Sequence, residues 1–124
     1  MNKRIFVLAT LVAASAMSSA HLMVFEGALS GLNEVPQNNS AGTGFVRVTI
    51  DDHDSTMRVQ ANFSGLTGTT TAAHIHIGNG PGTNGGVATQ LPSFTGFPLG
   101  VTAGTMDRTF DMNLASSWNT TYIN

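Results

Sequence analysis

Phe45-Val46-Arg47-Val48-Thr49-Ile50, Asp51-Asp52-His53-Asp54-Ser55, and Thr56-Met57-Arg58-Val59-Gln60-Ala61-Asn62-Phe63 form the stretch that decides the fold. Apolar and polar residues alternate on both sides of a five-residue polar cluster. A period of two places alternate side chains on opposite faces of a strand, so each run buries one face and wets the other. The cluster between them reads as a hairpin loop, and the second run reads as the return strand of an antiparallel pair.

Working outward, Leu22 to Leu29 is a further strand candidate. Leu22, Val24 and Ala28 fall on one side and Met23, Phe25, Gly27 and Leu29 on the other. Apolar residues on both sides predict burial on both faces or a bulge. On the far side of the hairpin, Ala72 to Ile77 and Val87 to Leu91 read as strands flanking the glycine-rich loop Gly78 to Gly86. Thr105 to Leu114 alternates again, with Met106, Arg108, Phe110 and Met112 on one face, where Arg108 interrupts the apolar side. Several short strands with frequent turn signals and no helical periodicity predict an all-β fold, an antiparallel β-sandwich or barrel.

The first residues carry a different pattern. Lys3 and Arg4 precede the apolar run Ile5 to Ala14, and Ser18-Ser19-Ala20 supplies small side chains at a cleavage site. This arrangement predicts a signal peptide over residues 1–20 and a mature domain over residues 21–124, secreted or periplasmic. The apolar run is too short to cross a bilayer of ~30 Å as a helix, so no membrane attachment is expected after cleavage. The remaining ~100 residues suit one small domain. The sequence has no cysteine, so its stability rests on packing and backbone pairing.

Five basic and seven acidic residues give a formal net charge of −2. Past residue 20 the only basic side chains other than histidine are Arg47, Arg58 and Arg108. Nucleic-acid binding needs a phosphate-neutralising basic surface, and none can be assembled from three arginines. No Gly-x-Ser-x-Gly elbow, thiol nucleophile or phosphate loop is present, so the chain is not expected to be an enzyme.

His74-Ile75-His76 is the one motif with chemical potential. Residues two apart on a strand share a face, and two imidazoles so placed can converge on a cation. A hydrogen-bonding pair is the competing reading. Two ligands are fewer than a zinc site needs, and His21 and His53 are the only other histidines. Cleavage before His21 would expose an α-amine beside an imidazole, a donor set suited to Cu(II). The metal candidates are therefore His74, His76 and His21, with copper or zinc as the cation.

Several segments together resemble the CHRD family, the domain named after chordin. They are Phe25 to Leu29 with Asn33-Glu34-Val35-Pro36, then Ala41-Gly42-Thr43-Gly44, Phe63-Ser64-Gly65-Leu66, Ala72-Ala73-His74-Ile75-His76 and Gly80-Pro81. The resemblance implies an immunoglobulin-like or Cu/Zn-superoxide-dismutase-like β-sandwich in an extracytoplasmic setting. It implies no reaction. Its function on this basis is that of an exported non-catalytic binding or structural module whose partner is an extracellular protein; the alternative is a metal-binding protein using the His-x-His pair. Family members usually continue past the Trp-Asn segment, here Trp118-Asn119, so the resemblance also implies a domain incomplete at its C-terminal end.

Overall fold

The computed structural model describes residues 21–78, 80, 83 and 85–123. The predicted signal peptide lies outside these residues. Four strands, β1 (Leu22–Ser30), β2 (Thr43–Asp51), β3 (Thr56–Ser64) and β4 (Gly104–Asp111), form one antiparallel sheet in the order β1-β2-β3-β4. The hairpin closes where the polar cluster predicts. Asp51 Oδ1 accepts the N–H groups of His53 and Asp54 at 3.0 and 3.1 Å, and Ser55 takes a left-handed φ of 51°. This is the local side-chain capping for which aspartate is favoured in turns.

The register sorts the strands into two faces. Met23, Ile50, Met57 and Phe110 lie in one cross-strand row, Phe25, Val48, Val59 and Arg108 in the next, and Gly27, Val46, Ala61 and Met106 in the third. The opposite face carries Glu26, Arg47, Gln60 and Asp107 in a single polar row. There Arg58 donates from Nε and Nη2 to both oxygens of Asp107 at 2.8 and 2.7 Å.

A second layer covers the apolar face, but only in part. Phe94 packs 5.3 Å from Phe110, ring centre to ring centre, and Phe97 stacks on Phe63 at 5.5 Å. Phe94 and Phe110 join Met57, Val59 and Met106 in the core, and Phe97, Ala73 and Ile75 pack against it. Arg108, which interrupts the apolar alternation, lies against Gly96, whose left-handed φ of +84° favours glycine and where a Cβ would come within 3.3 Å of the guanidinium. The all-β expectation holds, and the layer opposite the sheet is what makes the fold sandwich-like.

That layer is less regular than the sequence predicts. Ala72 to Ile77 and Val87 to Leu91 do not form extended strands; they meet through the isolated bridge His76–Val87, and a second bridge joins Thr89 to Trp118. Side-chain hydroxyls take places that ladder carbonyls would fill. Thr89 Oγ1 accepts Ile75 N–H at 2.9 Å, and Ser93 Oγ accepts Ala73 N–H at 2.9 Å. Backbone bonds continue the pattern between them, from Ala88 to Ile75 at 2.9 Å and from Phe94 to Ala73 at 3.0 Å.

The reading of β1 needs a larger correction. Its register against β2 is unbroken from Leu22 to Ser30, so it has no bulge, and it is buried on neither face. Met57 and Phe110 are 3% and 7% exposed, while Met23 and Phe25, in the same cross-strand rows as Met57 and Val59, are 44% and 56% exposed. The second layer stops over β2, and β1 lies beyond it at the sheet edge.

Candidate functional site

Where the second layer ends, a groove of about 570 Å³ opens onto the sheet. Val46, Val48, Val59 and Ala61 contribute its sheet side, and Phe94 and Phe97 come from the covering layer. Leu29 also lines it, and Glu34, Asn38, Thr70, His74 and His76 supply polar groups. Its volume falls within the ~300–1,000 Å³ range of ligand clefts, and its mix of apolar surface with a few polar groups is their usual chemistry.

His74 and His76 are brought together, with ring centres 5.8 Å apart and planes at 77°. They alternate with Ala73 and Ile75, the pair that packs on the core, so the strand-like period that predicts their proximity is present locally. Each ring is anchored to a backbone carbonyl. His74 Nε2 donates to Pro92 O at 2.7 Å and His76 Nδ1 donates to Gly85 O at 2.8 Å. A carbonyl only accepts, so these nitrogens carry protons, and in the neutral tautomer that this selects the lone pairs are on His74 Nδ1 and His76 Nε2.

His21 is engaged elsewhere. Its backbone N–H donates to Asp52 Oδ1 at 2.9 Å, and its Nδ1 lies 3.3 Å from Asp52 Oδ2, at the hairpin end of the sheet. Among the described residues, the group of three donors whose ligand atoms all fall within 4.8 Å of one another is Asp51, His53 and Asp54. That exposed group is accounted for by the turn, since Asp51 caps it and His53 Nδ1 bonds Asp54 Oδ1 at 2.9 Å. The hydrogen bond to Asp54, reinforced by its charge, raises the His53 pKa.

The model of the CHRD domain matches residues 25–124. The chain belongs to the CHRD family. No curated protein sequence and no solved structure matches it. In this CHRD domain, then, the Asn33-Glu34-Val35-Pro36 turn and Ala72 to His76, which carry the family resemblance, also border the groove through Glu34 and the histidines.

Two features of the site have no signature in the sequence. Thr89 is only 1% exposed, and its hydroxyl organises the His74–His76 segment; a threonine among many gives no hint of this. The groove itself depends on where the covering layer stops, which no residue pattern encodes.

Proposed function

We propose that this CHRD domain is an exported, non-catalytic binding module that receives an extracellular protein partner on the open half of its sheet. The groove carries the reading, because it combines an apolar floor from β2 and β3 with a few polar groups in a volume of about 570 Å³. Family membership and the scarcity of basic residues agree with a protein partner. The absence of a thiol or a serine elbow from the sequence agrees with binding without turnover.

Anilinonaphthalene sulfonate, whose emission rises on apolar surfaces, tests the groove. Saturable binding to the folded protein is expected, weakened several-fold by Val48→Thr, which keeps the side-chain shape and adds a hydroxyl. Absence of saturable binding would remove the groove as a binding surface. A metal-independent reaction abolished by a single side-chain replacement would overturn the non-catalytic assignment.

One observation favours a second reading, copper or zinc binding through His74 and His76. Metal-ligating histidines commonly donate their other ring N–H to a carbonyl, which fixes tautomer and orientation, and both rings do so here. Two lone pairs leave a cation to complete its coordination with water or further donors. Calorimetric titration with Cu(II) and Zn(II) decides the matter: affinity should vanish in the His74→Ala, His76→Ala double variant. Unchanged affinity would leave the pair with only a structural role.

A further inference from the structure

We propose that two copies of this protein associate through the β1 edge, pairing antiparallel about a two-fold axis at Val24 to continue the sheet from one copy into the next. The proposal does not depend on the groove or on any metal.

The two edges of the sheet are unlike. β4 carries Asp107, Arg108 and Asp111, and the chain beyond it turns back, with Ser117 Oγ donating to Asp111 O at 2.6 Å. Charged side chains and covering segments are how edges are kept from pairing. β1 holds a single charge, Glu26, in Leu22–Ser30 and shows apolar side chains on both faces: Leu22 and Val24 on one, Met23 and Phe25 on the other, all well exposed. Such an edge is a template for another strand.

Hydrogen-bond geometry shows which part of the edge is open. Asp52 N–H donates to His21 O at 3.5 Å, so the backbone groups of odd-numbered β1 residues face β2 and those of even-numbered residues face outward. Asn33 Nδ2 caps the outward carbonyl of Ala28 at 3.0 Å. Among the described residues, the stretch whose outward groups have no partner is therefore Leu22 to Glu26, whose centre is Val24.

A two-fold axis there sets Val24 against Val24 as a hydrogen-bonded pair. Met23 falls opposite Phe25 twice, a sulfur–aromatic pairing, on the apolar face. Leu22 falls opposite Glu26, which keeps the two Glu26 carboxylates well apart while each stays beside its own Arg47, at 3.5 Å. A register centred on Glu26 would instead place like charges face to face and meet the Asn33 cap. At ~3.3 Å per residue, the stretch 21–27 spans ~23 Å. The strand is thus self-complementary, as an isologous contact requires, and the dimer is reversible.

Sedimentation velocity of the purified protein over about 1 µM to 1 mM tests this. Monomer and dimer should exchange reversibly within this range. Val24→Lys and Val24→Glu should each weaken association at least about tenfold, with unchanged circular dichroism. An equimolar mixture of the two should associate again, which a misfolded variant would not do. A wild-type protein that stays monomeric throughout, variants that associate like wild type, or a mixture that fails to recover would each overturn the proposal.

Discussion

The β3–β4 half of the sheet and the β1 edge are made from similar residues and end in opposite environments, with β2 half-buried between them. Met57 and Met23 share a cross-strand row, as do Val59 and Phe25, yet one member of each pair is buried and the other is open. Strand patterning therefore fixes which face is apolar, and the reach of the covering layer decides how much of that face leaves water. Burial of a side chain such as Phe or Met contributes ~1.5–3 kcal/mol only when it is complete. Stability should be concentrated under Phe94 and Phe97, and recognition where they do not reach.

The largest effect should come from breaking the covered half. Phe110→Ala removes a ring packed on Phe94 and should cost about 3–5 kcal/mol in urea unfolding. The matching change in the open half, Phe25→Ala, should cost about 1 kcal/mol or less at protein concentrations too low for association. Equal losses would erase the distinction.

Thr89→Val sharpens it at the boundary. The replacement keeps the shape and leaves Ile75 N–H without its buried acceptor, at a cost of about 1–3 kcal/mol. Because Ile75 stands between the two histidines, the same variant should disturb their ring resonances, whereas Phe25→Ala should not.

The smallest effects lie on exposed ion pairs and are separable by pH. Hydrogen bonding from Arg58 holds the Asp107 pKa below its usual value, outweighing desolvation. The stability it contributes is present above the unfolded-state pKa and is lost as pH falls through the folded one. The difference between wild type and Asp107→Asn should accordingly shrink in acid. His53 has the opposite sign: its raised pKa contributes stability below the unfolded-state value that disappears as pH rises through the folded value. His53→Gln should approach wild type in alkaline thermal melts. Both differences should be small, because exposed pairs are well screened.

The hairpin was legible because alternation and an aspartate-rich turn are local properties of Phe45 to Phe63. So was the adjacency of His74 and His76. The carbonyls that orient those rings were not, since Pro92 and Gly85 reach them only through the folded layer. The strands predicted in that layer, Ala72 to Ile77 and Val87 to Leu91, are reduced to isolated bridges because hydroxyls of Thr89 and Ser93 replace ladder bonds. Leu22 to Leu29 misled in the most instructive way: two apolar faces read as double burial or a bulge, and the strand is a regular, open edge.

The cysteine-free sequence allows the contrast between the halves to be measured directly through the rates at which single thiols introduced by Phe25→Cys and Met106→Cys react under native conditions in dilute solution. An open β1 edge and a covered β3–β4 half require the thiol at position 25 to react near the rate of an unstructured peptide and the one at 106 to be slower by at least about a hundredfold, limited by unfolding. Comparable protection at both positions would contradict the half-covered sheet.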